Sequence, residues 1–135
     1  MIPVAHVAAG ARWTGVQDIT SLITAPNVVG LSRATISMTD TEVRVSFDRI
    51  RLSGAGTIFT LPVGWRMSTY ATNTDSVPLI NDAGTAFRGK LSIWDSILEV
   101  KGSFLPAESV SASIAGPRRR GEPWPTEPLG PLTPS

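Results

Sequence analysis

The residues able to do acid, base or nucleophile chemistry are few and scattered along this chain. His6 is its single histidine, and it has no cysteine. Nucleophilic catalysis needs a nucleophile with a base beside it. His6 lies in the apolar opening MIPVAHVAAG, where a structural or merely exposed imidazole is the plainer reading. The missing cysteines remove disulfides and thiolate metal sites. Asp18, Asp40, Glu42, Asp48, Asp75, Asp82, Asp95, Glu99 and Glu108 fall at turns or on the polar side of alternating segments, which are ordinary places for acids. The stretches NTD (73–75) and NDAG (81–84) could offer oxygens to a cation, but neither has the spaced ligands of a calcium loop. Turn formation is their plainer use. A glycosidase needs two carboxylates facing each other across a cleft, and nothing selects such a pair. There is no phosphate loop, dinucleotide fingerprint or Gly-x-Ser-x-Gly elbow. The expectation is a non-enzymatic protein with no catalytic, cofactor or metal residues.

Aromatic chemistry is better represented. The four tryptophans are Trp13, Trp65, Trp94 and Trp124. A ring on a sheet surface can bury the apolar face of a sugar while the hydroxyls bond elsewhere. Trp94 follows Arg88, Lys90 and Ser92 at a spacing of two, which puts it on their polar side. Trp65 and Arg66 follow a Pro-Val-Gly turn. Trp65, Arg66, Trp94, Arg88 and Lys90 are therefore the candidate surface or interface residues. The competing reading is that these rings cover the edge of the core or join a subunit contact, where tryptophan is also enriched.

The elements that must position these groups are strands. In RATISMTDTEVRVSFDRIRL (33–52), Ile36 and Met38 alternate with Thr35 and Ser37, and Val43, Val45 and Phe47 alternate with Glu42, Arg44, Ser46 and Asp48. This period of two, broken at TDT, predicts a hairpin with one buried face. Residues 25–32 read as a loop from Pro26, Asn27 and Gly30. DITSLI (18–23) fits one helical turn or the start of a strand. TIFTL (57–61) reads as a strand, and so does Val77 to Ile80. In TAFRGKLSIW (85–94), Phe87, Gly89, Leu91 and Ile93 share the inward side. Leu98 and Val100 face in after a turn at 95–96, and Val110, Ala112 and Ile114 alternate with Ser109, Ser111 and Ser113. Seven or eight short strands without an amphipathic helix predict an all-β, antiparallel, jelly-roll-like β-sandwich. The expected layout is an N-terminal arm (1–10), the sandwich (11–116) and a proline-rich extended tail (117–135).

In the tail, prolines 125, 128, 131 and 134 recur every three residues. Polyproline II has three residues per turn, so they would line one edge of an extended segment. One reading is a disordered terminus. The other is an assembly arm along a neighbouring subunit, using Arg118, Arg119, Arg120, Trp124, Leu129 and Leu132.

Composition excludes several partners. Hydrophobic residues make up 41% of the chain and charged residues 17%, enough apolar content for a core. The formal net charge is +1, and the single basic run is Arg118–Arg120, so no nucleic-acid stripe is present. No stretch approaches a membrane span. The opening residues lack the basic start of a signal peptide. These features read as a soluble protein.

Four segments in order carry a family resemblance: GVQDITSLI (15–23), SRATISMTDTEVRVSFDRIRL (32–52), GTIFTLPVGWRM (56–67) and GTAFRGKLSIWDSILEVKG (84–102). Over residues 11–115 their order and spacing resemble bacteriophage minor tail and tail-fibre receptor-binding-type domains of phages of Gram-positive hosts. Trp65 stands where those domains have Phe, Met67 where they have Pro, and Asp95-Ser96 where they have an Asp-Gly turn. The resemblance implies a virion protein assembled in the host cytoplasm. It would be a trimeric minor-tail or tail-tip subunit that contacts other virion proteins and a host cell-surface glycan. A capsid decoration or head-fibre protein and a carbohydrate-binding module are the alternatives.

Overall fold

The computed structural model describes residues 15–68 and 75–132. The expected arm at 1–10, with His6, lies outside the described residues, as do Trp13 and Pro134. Where polar and apolar residues alternate, strands form. β2 (Val28–Met38) and β3 (Glu42–Leu52) make the expected hairpin. Ala34, Ile36 and Met38 face Phe47, Val45 and Val43, and all six are buried. The Thr39 hydroxyl closes the turn by accepting the amides of Thr41 and Glu42 at 3.3 and 3.1 Å.

β2 begins at Val28, so most of the stretch read as loop is strand. β3 is long enough to pair with it: Leu52 faces Val28 and Arg51 faces Gly30 across a register shift. The partner strand thus outweighs the local turn residues. Of the two alternatives for DITSLI, a 3-10 turn forms at Thr20–Leu22, while Asp18 ends the short strand β1 (Gln17–Asp18). Asp18 Oδ1 accepts the Thr20 amide at 2.9 Å, and hydrogen bonding from Thr20 holds this carboxyl below its ordinary value.

The remaining strands are β4 (Gly56–Thr60), β5 (Asp75–Ile80), β6 (Phe87–Trp94), β7 (Ile97–Gly102) and β8 (Ser109–Pro117). They complete two four-stranded sheets, ordered β1-β2-β3-β8 and β4-β7-β6-β5, with every pairing antiparallel. β8 returns to β3, β7 to β4 and β6 to β5. The architecture is the all-β sandwich that the alternation predicts. Its inner faces enclose one apolar cluster that includes Ile36, Val45, Phe47, Ile58, Leu91, Ile93, Leu98 and Ile114.

One inward assignment is wrong. Phe87 is 67% exposed. Leu79 pairs with Gly89, but Ile80 pairs with Phe87, so Arg88 is an extra residue on β6. A one-residue bulge turns the following side chain to the opposite face. Phe87 therefore stands beside Ile80 on the outer side.

NDAG serves as turn chemistry. Asn81 is 5% exposed. Its Oδ1 accepts the amides of Thr85 and Ala86 at 2.7 and 3.0 Å, and its Nδ2 donates to Thr85 Oγ1 and Glu108 Oε2. A bridge from Asn81 to Val110 also ties β5 to β8 across the two sheets. Replacing Asn81 by alanine leaves these groups unpaired. We expect a loss of about 1–3 kcal/mol, read from the urea midpoint. An unchanged midpoint would show that the side-chain network carries no net stability.

Candidate functional site

Pro62-Val63-Gly64-Trp65 ends β4 in a turn closed by the Trp65 amide donating to the Pro62 carbonyl at 3.0 Å. The third position needs positive φ, and Gly64 supplies it at 98°. The turn throws the indole back under the end of the sandwich. Trp65 is 1% exposed, so the candidate surface role is corrected: it is a core residue. Arg66, next along the chain, points outward with its side chain 31% exposed.

What Arg66 meets is Glu122, an acid that sequence reading passed over. The Glu122 side chain is fully buried. Its Oε2 accepts the Gly64 amide at 2.6 Å and the Arg66 amide at 3.2 Å. Arg66 Nε donates to Oε1 and Oε2 at 3.0 and 2.9 Å. Burial pushes the Glu122 carboxyl up. The hydrogen bonds from the Arg66 side chain and from the two amides outweigh it, and the carboxyl sits below its ordinary value. Arg66 is in turn held more firmly protonated by its bond to Glu122.

This buried latch fastens residues 118–132 to their own sandwich. The Arg118 and Arg119 amides donate to the Thr41 and Arg66 carbonyls, and Met67 bridges Arg118. The Arg118 guanidinium lies 3.9 Å over the Trp124 ring and donates to the Glu122 and Pro123 carbonyls. Arg119 reaches Asp95 at 2.6 Å and Ser96 at 3.2 Å. Arg120 is exposed. Trp124 and Leu129 pack on the core cluster. At the far end the Leu129 amide donates to Gln17 Oε1, the Asp18 amide donates to the Pro131 carbonyl, and Leu132 bridges Gln17 while its side chain stays 57% exposed. Gly130 passes so close to Asp18 that a Cβ there would lie 1.9 Å from its carbonyl oxygen. The segment is thus an intramolecular strap running from β8 to the free edge of β1. Its period-three prolines do not share one environment, since Pro125 is buried while Pro128 and Pro131 are exposed. A half-open cleft of about 440 Å³ lies between strap and turn, lined by Leu22, Val63, Trp65, Trp124 and Leu129 among others.

The other candidates lie elsewhere, on the outer face of the β4-β7-β6-β5 sheet. Trp94 is 45% exposed at the end of β6. Arg88 is occupied: it pairs with Glu108, which also accepts from Asn81. The bond from Arg88 and then that from Asn81 hold the Glu108 carboxyl below its ordinary value. Lys90 is exposed and sits directly opposite Lys101 of β7. The five candidates therefore divide: Trp65 in the core, Arg66 in the latch, and Arg88, Lys90 and Trp94 on one sheet face. Sequence reading missed Lys101 and Phe87 as members of that face. Comparison with protein-family models, curated proteins and solved structures finds no match. Among the described residues, no three His, Asp or Glu side chains cluster so as to hold a metal ion.

Proposed function

We propose that this chain is a non-enzymatic bacteriophage virion subunit of the minor-tail or tail-tip kind, serving assembly and host attachment. One observation supports the reading best. The carboxylates with lowered pKa, Asp18, Glu108 and Glu122, are all spent on hydrogen bonds that close the fold. The outer face of β5 and β6 offers aromatic, aliphatic and cationic side chains to solvent: Phe87, Ile80, Trp94 and Lys90. Such a surface binds and assembles, and many weak contacts multiply with copy number. The order of the four phage-tail-like segments adds the virion context.

Antibodies raised against the purified chain test this by labelling purified phage particles from the producing host. Label at the tail tip is expected. Label on the head would favour the decoration reading, and absence from particles would overturn the virion role. The companion measurement is mass by light scattering: a trimer of three times 14.3 kDa is expected. A carbohydrate-binding module is the second reading, favoured by the exposure of Trp94 and Phe87, and it predicts a monomer.

A further inference from the structure

The outer face of β6 and β7 carries an arrangement that folding does not explain. Lys90 and Lys101 are directly opposed across the two strands. Like charges at such positions cost stability. Lys101 has Glu99 at 3.4 Å. Lys90 makes no ion pair with any of the described residues. Beside them stands Phe87, the most exposed large apolar side chain among the described residues, with Ile80 opposite it. Gly89 and Gly102 pair beside these groups, where a Cβ on either would strike the backbone of the other strand. The result is a shallow depression of about 530 Å³ whose lining holds Lys90 and Lys101 together with Arg88, which is already paired with Glu108.

We infer that this face binds an anionic saccharide chain, with Lys90 and Lys101 bracketing a carboxylate and Phe87 stacking on a ring. A cation pair takes the anion, and an exposed ring takes the apolar face of a sugar. Phe87 and Lys90 lie about 10 Å apart by strand rise, more than one sugar ring, so the ligand is an oligomer. A second copy of the chain fits worse, because a twofold contact through this face would set lysines against lysines. The source of the saccharide, a host cell surface, rests on the attachment role proposed above.

The test is calorimetric titration of the full chain with a galacturonate oligomer and with its methyl ester, which keeps the rings and removes the charge. The acid form should bind about tenfold more tightly than the ester. Lys90→Gln with Lys101→Gln should bring the acid form down to the ester's affinity. Phe87→Ala should weaken both ligands by about threefold or more. All three side chains lie on the surface, so unchanged urea midpoints keep the comparison interpretable. Equal binding of acid and ester, no binding of the acid, indifference to Phe87→Ala, or equally tight binding of a single-stranded oligonucleotide would each overturn the inference. Titration reads only this face and particle labelling reads only location. Binding without labelling therefore removes the virion role alone, and labelling without binding removes the saccharide site alone.

Discussion

Replacing Trp65 by alanine is expected to destabilise the protein by about 3–5 kcal/mol, because it deletes a large, fully enclosed ring from a close-packed interior. Trp65 is 1% exposed and belongs to the central cluster with Leu61, Met67 and Leu98. It also forms part of the floor on which the strap lies, beside Pro125 and Leu129. The cavity would therefore open beneath the strap as well as in the core. Chemical denaturation monitored by circular dichroism measures the loss. Tryptophan fluorescence is a poor probe here, since the mutation removes one of its sources. Trp65→Phe keeps most of the volume and should cost clearly less. A loss under about 1 kcal/mol for the alanine variant would mean that the ring is not enclosed, and would restore the surface role first expected for it.

Removing the latch is the second large effect. Glu122→Ala leaves the Gly64 amide without its acceptor and Arg66 without its carboxylate, at a cost of about 2–4 kcal/mol. The strap should detach before the sheets do, since the β2-β3-β8 ladder does not depend on it. Trypsin should then cut at Arg118–Arg120 faster than in the native chain. An unchanged cleavage rate together with an unchanged denaturation midpoint would show that the strap is held by its other contacts. The same carboxylate makes the latch sensitive to acid. Its folded pKa lies below the ordinary 4.5, so the unfolded chain binds the proton first as pH falls. The latch's stabilisation is complete above that value and is lost as pH drops through the lower folded value. Glu122→Gln removes this contribution, so the stability difference between native and variant should shrink in that window. Asp18 and Glu108, also lowered, titrate in both proteins and cancel in the comparison.

The strap changes how the tail bears on assembly. As an arm along a neighbour, residues 117–135 would be dispensable for folding. Lying against the Trp65 turn and the edge of β1, residues 118–132 close one end of the sandwich and cover an edge that could otherwise pair with another chain. Truncation at 117 is therefore expected to lower the stability of the sandwich itself, measured by the same denaturation. An unchanged midpoint would return the tail to a role outside its own fold.

The alternation in residues 33–52, 85–94 and 97–114 determined the strands, because a period of two is a local property and one buried face enforces it. The turn at Gly64 was equally local. What the alternation could not carry was everything decided by a distant partner. Val28 to Ser32 became strand because Ile50–Leu52 were there to pair with them. Phe87 turned outward because one extra residue entered β6 opposite Ile80. Lys101 joined Lys90 only through the β6–β7 register. Glu122 is the extreme case. A lone acid between an arginine run and a Pro-Trp-Pro stretch reads as a solvated tail residue. Its burial is set by amides and a guanidinium 56 and 58 residues earlier in the chain. A buried charge is tolerable only when such donors converge on it, and that convergence exists only once the two sheets have packed and brought the turn after β4 beneath the strap.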